Sequence, residues 1–348
     1  MKIALPYNIH FGEYNQDVVV GGIEKFCHQI VETFDDVHII NINNKEPIKD
    51  NTTKIKNFAK DINANIIISN WHQASFSGAK MLDSEVPIMF INHGHHGLIS
   101  ILSTMKNLNK HSHSCYMVSK SQHEWYRSMA KRLDTDDVIV DGYINSSYVK
   151  GSKPEIMDIE YDCCTIGRCD PIEKKPFILK NWLCNTEFKT ILMTNKPNDD
   201  KELNYLNKNS HWDGVLFGLN HKDVMKTLSK SMTYFSTCSM EAWGITALEA
   251  LSHGVPIILN SKNFKHASTD ICSDKSHYKL VSDSSELIDA IKSFKNVNRN
   301  EIQDMTWEKH LHINWKKTFE NAIDSTIEKY DRLNLSKFWT PWRTYHNI

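Results

Sequence analysis

Short β-branched or apolar runs alternate with helix-length amphipathic stretches from residue 2 to residue 281, and this alternation constrains the fold more than any other feature. Parallel strands cannot be joined by a hairpin, so each needs a crossover, usually a helix. The first series of strand candidates is 2–5, 37–42, 65–69, 87–92, 115–119 and 137–141. The second is 162–166, 190–194, 213–217, 233–236, 256–260 and 278–281. Helical periodicity falls between them at 23–33, 122–132, 221–230, 245–252 and 285–294. The polar stretch 146–159, with Gly151, Ser152 and Pro154, lacks periodicity and reads as a linker. The expectation is an α/β chain of two Rossmann-like, doubly wound domains, 1–150 and 151–325, facing a central cleft, followed by a tail at 326–348. After about residue 300 the pattern turns helical, with 307–327 as one long helix.

A chain of 348 residues is long for a single core and comfortable for two. Its 40% hydrophobic and 24% charged content is ordinary for a globular protein. No apolar run approaches the ~18–20 residues that span a bilayer, and the Met1–Pro6 opening is too short and too soon polar for a signal peptide. A cytoplasmic location is expected. The eight cysteines include no C-x-x-C pair and no zinc-like spacing with histidine, so buried free thiols in a reducing compartment are expected. A net charge of −1 shows no basic surplus for nucleic-acid phosphates, although a local patch would not register in the sum.

In open α/β sheets ligands bind beyond the carboxyl ends of the strands, so loops after strands carry the chemistry. The most informative runs Glu241-Ala-Trp-Gly-Ile-Thr-Ala-Leu-Glu249 and continues to Asn260. Eight steps along a helix turn about 80° past two full turns, so two carboxylates on one helix would diverge. The pattern makes sense with Glu241 on the preceding loop and Glu249 inside the helix. Gly244 lets backbone approach a ligand, and the N–H groups of Ile245 and Thr246 face an anion with the helix dipole behind them. A surface helix with solvated glutamates has the same carboxylate spacing; Gly244, Gly254 and Pro256 in register argue against it.

These residues, with Trp243 and Ala250, resemble the family 4 retaining glycosyltransferases of GT-B fold, which share a Glu, seven residues, Glu pattern. The resemblance implies that Glu249 binds the ribose hydroxyls of a nucleotide and Glu241 the hydroxyls of a donor sugar. It also implies a terminal helix that crosses back onto the first domain. Ile166-Gly167-Arg168, then Glu173-Lys174-Lys175-Pro176, is similar to the family's Gly-Arg … Glu-Lys-Gly segment, whose Arg and Lys bind the diphosphate. Here Arg168 and Lys174 take those roles, although the spacing is one residue longer and Lys175 replaces the usual glycine, leaving Lys174 against Lys175 open. Gly21-Gly22 before a helix resembles the family's glycine loop, and His93 in Asn92-His93-Gly94-His95-His96-Gly97 resembles its donor-sugar histidine. A tight turn explains a glycine pair equally well. His95 and His96 raise a metal reading, but no carboxylate or cysteine lies nearby in sequence, and the family needs neither metal nor other cofactor for the diphosphate.

The resemblance implies retaining transfer of a hexose or pentose from a nucleotide sugar, a UDP-sugar by expectation. The front-face route is favoured: Arg168 and Lys174 stabilise the leaving group, Glu241 and His93 position the sugar, and domain closure excludes water. For the acceptor, the T-even phage enzymes that glycosylate 5-hydroxymethylcytosine in DNA are the leading resemblance. Their α-glucosyltransferase has a similar His-rich loop before a Leu/Ser stretch, as at 93–100, and a similar glycine turn into a Lys-Phe helix start, as at 22–26. If phage-encoded, the expected location is the host cytoplasm. The competing acceptor is a capsule or lipopolysaccharide glycan or glycolipid. A non-catalytic nucleotide-sugar binding protein and a UDP-sugar epimerase are the alternatives from other classes. The aromatic, mildly basic Trp339, Trp342, Arg343 and Tyr345 are read as packing residues of the returning helix, with stacking on a nucleobase or seating at a membrane surface as alternatives.

Overall fold

The computed structural model describes residues 1–8, 22–43, 46–70, 84–93, 113–132, 140–167, 175–195, 213–238, 241–260 and 267–346. They divide into two compact units, Met1–Ser147 with Ile313–Ile348, and Tyr148–His312. The return to the first unit therefore comes at 312/313, ahead of the boundary expected at 325/326.

In the first unit, strands β1 (Ile3–Asn8), β2 (Val37–Ile42), β3 (Ile66–Asn70), β4 (Ile88–Asn92), β5 (Ser114–Met117) and β6 (Gly142–Tyr143) form a parallel sheet, ordered β2-β1-β3-β4-β5-β6. Ile66, Ile67 and Ile68, like Ile88 through Ile91, are buried, because a parallel sheet is covered on both faces. The covering helices are α1 (Gly22–Thr33), α2 (Ile48–Asp61) and α3 (Lys120–Arg132). Helix α2, not foreseen, sinks Ile55 and Ala59, one turn apart, against Ala4, Ile40 and Ile67. The last strand was expected at 137–141, of which 137–139 lie outside the described residues. Pairing begins at Gly142 because the Asp141 carboxylate takes the Cys115 N–H at 2.8 Å, where a strand carbonyl would otherwise sit.

The second unit holds β7 (Tyr161–Ile166), β8 (Thr190–Thr194), β9 (Gly214–Phe217), β10 (Ser231–Ser236), β11 (Ile257–Asn260) and β12 (Tyr278–Val281), ordered β12-β11-β10-β7-β8-β9. Counted from its own first strand this is the Rossmann order, and the order in which strands are added reverses between β7 and β10 while all stay parallel. The helices are α4 (Phe177–Leu183), α5 (His221–Ser229), α6 (Ile245–Ser252), α7 (Ser284–Ser293) and α8 (Arg299–Lys309). Asn220, Asp283 and Asn298 cap α5, α7 and α8 by accepting a backbone N–H three residues on.

Helix α8, also unforeseen, holds this unit together through one face. Buried Arg299 donates to the carbonyls of Met157 (2.9 Å), Ser229 (2.6 Å), His253 (3.3 Å) and Gly254 (3.1 Å). One turn on, Gln303 donates to Pro154 and Ser252 carbonyls, and Trp307 Nε1 donates to the same Ser252 carbonyl. The carbonyl ends of α5 and α6 are thus satisfied by side chains, and the stretch expected as a linker is tied down at Pro154 and Met157.

The long helix expected at 307–327 is two helices: α8 ends at Lys309, and α9 (His312–His346) begins after a break. Val149 causes the break. Its N–H donates to the His310 carbonyl at 2.8 Å and its carbonyl accepts from His312 at 3.1 Å, drawing the backbone out of helical pairing. Helix α9 returns to the first unit as the resemblance implied. Phe319 packs on Phe34 (ring centroids 5.5 Å apart), Thr326 bonds Ser114 (2.5 Å), and Lys329 pairs with Asp141 (2.9 Å). Residues 326–346 are no separate tail, since they continue the same helix, and 347–348 lie outside the described residues.

Arg299→Met leaves several buried carbonyls without a donor, at a cost of about 3–5 kcal/mol in denaturant unfolding. Lys153→Met removes an exposed pair with Asp304 and costs under ~1 kcal/mol in the same assay.

Candidate functional site

The carboxyl ends of β7 and β10, where the Rossmann order reverses, lead into Gly167 and into the 237–244 segment. The Gly167 N–H donates to Met193 at 3.1 Å and closes β7 against β8. At the neighbouring end, Asn260 Nδ2 donates to the Thr237 carbonyl (3.3 Å) and Ala267 N–H to the Glu241 carbonyl (3.3 Å). The loop entering α6 is therefore anchored at both its start and its middle.

Gly244 ends that loop at φ 83°, in the left-handed region. A Cβ there would meet Ser268 Oγ at 2.0 Å and Glu241 Cγ at 3.3 Å, so space as well as backbone conformation requires glycine. Ser268 Oγ donates to the Trp243 carbonyl, locking the turn from beneath. The first intrahelical bond belongs to Ala247, which donates to the Gly244 carbonyl at 2.9 Å. The amides of Ile245 and Thr246 precede it and point along the helix axis, with no side-chain cap from Gly244. With Arg299 at the carboxyl end of α6, the macrodipole is complemented there by a cation, and the amino end is the anion-seeking one.

The two carboxylates stand on separate elements, as the spacing requires: Glu241 on the loop, Glu249 within α6. Glu249 Oε1 lies 2.9 Å from Nε2 of His221, the first residue of α5. That glutamate side chain is 17% exposed and the histidine 68%, so the pair opens to solvent from the histidine side. Nothing in the sequence near either residue announced His221. His253 Nδ1, 2.8 Å from the Glu249 carbonyl, adds a further tie to the helix end.

Arg168, Glu173 and Lys174 lie outside the described residues, but Lys175 does not. It holds φ 42°, the left-handed backbone that favours glycine, at the position where the resembling family carries glycine.

In the first unit, Gly22 is the first residue of α1, while Gly21, His95 and His96 lie outside the described residues. His93 follows β4 directly. Its ring stands edge-on to Phe26 at 4.6 Å and its Nε2 lies 3.1 Å from Asn70 Oδ1, at the end of β3. Burial pushes its pKa down to about 3, so the imidazole is neutral. No cluster of three or more metal-binding side chains occurs among the described residues. The side chains of Trp339, Trp342, Arg343 and Tyr345 lie outside the description, and no described helix is long and apolar enough to cross a membrane.

No family model and no curated protein matches the sequence. Solved structures do match. The chain is similar to HepE from Anabaena, solved in complex with UDP-glucose, at 12% identity and TM-score 0.66, covering 93% of this chain and 100% of that one. It is similar to a sucrose-phosphate synthase from Thermosynechococcus elongatus at 13% identity and TM-score 0.63, covering 97% and 99%. It is also similar to the apo form of the lipopolysaccharide outer core galactosyltransferase WaaB, at 16% identity and TM-score 0.62, covering 93% and 99%.

The fold is GT-B.

At these identities the likeness speaks for the GT-B architecture, two Rossmann-like units in one chain, and activity rests on the site.

Gly244→Ala combines a left-handed alanine with the Ser268 clash and costs about 3 kcal/mol or more in thermal or denaturant unfolding. Pairing it with Ser268→Gly returns the steric part and leaves about 1–2 kcal/mol from the backbone alone. Full additivity of the two substitutions would contradict the contact.

Proposed function

We propose that this chain is a retaining glycosyltransferase that moves a sugar from a UDP-sugar to an acceptor hydroxyl. The observation that carries this reading is the pairing of a helix amino end at Gly244–Thr246, uncapped by any side chain among the described residues, with two carboxylates, Glu241 and Glu249, beside the β7/β10 reversal. A nucleotide sugar needs both: N–H groups for its diphosphate and carboxylates for its ribose and sugar hydroxyls. Glu249 takes the ribose, Glu241 the sugar hydroxyls, and Gly21 and Gly22 lend backbone to the donor. In the front-face reaction the acceptor oxygen attacks the anomeric carbon and the bond from that carbon to the diphosphate oxygen breaks. The hydroxyl proton passes to a departing phosphate oxygen. Arg168 and Lys174 offset the charge that gathers there. The left-handed Lys175 supports Lys174 over Lys175 for this task, because it aligns Lys175 with the family's glycine and Lys174 with its lysine.

The acceptor we favour is 5-hydroxymethylcytosine in DNA, on the strength of the His93–Ser100 and Gly22–Phe26 segments, with the phage-infected host cytoplasm as the setting. A cell-surface glycan or glycolipid is the second reading, favoured by the similarity to a galactosyltransferase of the lipopolysaccharide outer core.

A panel of UDP-sugars is incubated with hydroxymethylated DNA, and separately with lipopolysaccharide acceptor, and product masses are read. A hexose or pentose mass gain on the nucleoside is the expected result. Gain on the lipid arm alone replaces the acceptor, and no gain in either arm ends the transferase reading. Lys174→Ala is expected to lower turnover about 10²–10³-fold. Lys175→Gly keeps turnover and relieves about 1 kcal/mol of backbone strain.

A further inference from the structure

We infer that Asn70 is a positioning residue: it fixes His93 as the Nε2–H tautomer and so presents bare Nδ1 as the acceptor for a sugar hydroxyl. The inference rests on the reading of His93 as a sugar contact. Its structural part stands alone.

Asn70 is 4% exposed and has both ends of its amide engaged. Its Nδ2 donates to Cys27 Sγ at 3.1 Å, which turns Oδ1 toward His93 Nε2 at 3.1 Å. An amide oxygen only accepts, so the proton between the two residues sits on Nε2. A neutral imidazole carries one N–H, so its Nδ1 is a lone pair. Among the described residues Nδ1 has no hydrogen-bond partner, and it is not one of the buried polar atoms sealed without one.

Described neighbours brace the ring. Phe26 meets it edge-on and is itself backed by Trp315 and Phe319, with ring centroids 6.0 and 5.9 Å away. The titratable groups tied to the network are Cys27, bonded to Asn70, and Glu24, whose charge acts on Cys27, both on α1. Burial keeps both protonated more readily than usual and pushes the Cys27 thiol far above its ordinary range, so sulfur serves Asn70 as a neutral acceptor. Asn70 on β3 and Trp315 and Phe319 on α9 bring no charge. His93 is therefore an acceptor only. It takes a hydrogen bond from a hydroxyl and neither protonates a leaving group nor pairs with phosphate.

The test uses the full chain with ¹⁵N-labelled histidine. Long-range ¹H–¹⁵N correlation reads the tautomer, with His93 assigned from the signals lost in His93→Gln. The expected result is one neutral Nε2–H species that persists below pH 6. An Nδ1–H species, or an imidazolium at pH 6, overturns the inference. Asn70→Asp keeps the shape and places a carboxylate on Nε2, which favours the imidazolium and removes the acceptor. Turnover then falls about tenfold at pH 6 and recovers as pH rises, a dependence absent from the wild type. Cys27→Ala is the gentler variant: it frees the Asn70 amide to rotate and yields a mixture of both tautomers. An unmixed Nε2–H signal in Cys27→Ala, or pH-independent turnover in Asn70→Asp, counts against the network. If no donor turns over at all, the transferase reading fails while the tautomer spectrum still decides the role of Asn70.

Discussion

A guanidinium buried at the carbonyl ends of two helices organises the second unit. Arg299 donates to four backbone carbonyls, those of residues 157, 229, 253 and 254, and burial lowers its pKa without removing its charge. The desolvation of that charge is offset because every partner is an acceptor, and the two at helix ends carry the negative pole of a macrodipole. The consequence reaches past stability. Helices α5 and α6 are clamped at one end by one side chain, so His221 and Glu249 are held in register further along the same helices. The amino end of α6 is thereby aimed at the reversal between β7 and β10, where an α/β sheet binds its ligand.

Backbone at two points of the candidate site adopts conformations that side chains resist. Gly244 sits at φ 83° with Ser268 filling the space a Cβ would need, and Lys175 holds φ 42° despite its side chain. Such positions persist when surrounding contacts dictate them, and they gather where a chain must present N–H groups rather than side chains. Gly254, at φ 70°, belongs to the same design at the other end of α6: a Cβ there would strike the Arg299 carbonyl at 2.5 Å. The helix is therefore bounded by glycines because both ends are crowded by other elements.

The fold was legible because its signals are local. Strands 37–42, 190–194 and 278–281 and helix 245–252 were read with their observed limits, since buried apolar runs and periodicity report directly on element type. Placing Glu241 on a loop and Glu249 in a helix was legible for the same reason, from the helical repeat. What stayed hidden acts across long separations. Arg299 serves Met157, 142 residues away, and nothing about an arginine at the start of a polar helix signals that. His221 meets Glu249 only through the packing of α5 on α6, and Asn70 reaches His93 only because β3 and β4 are neighbours. The break between α8 and α9 was invisible because Val149 imposes it from 162 residues upstream of Leu311.

Whether a diphosphate rests on the amino end of α6, as proposed, is decided by amide hydrogen exchange with and without saturating UDP. UDP is expected to slow exchange at the amides of residues 244–246, and the effect weakens in Glu249→Ala through loss of affinity. Unchanged exchange at those amides, with UDP shown to be bound by calorimetry, would contradict it.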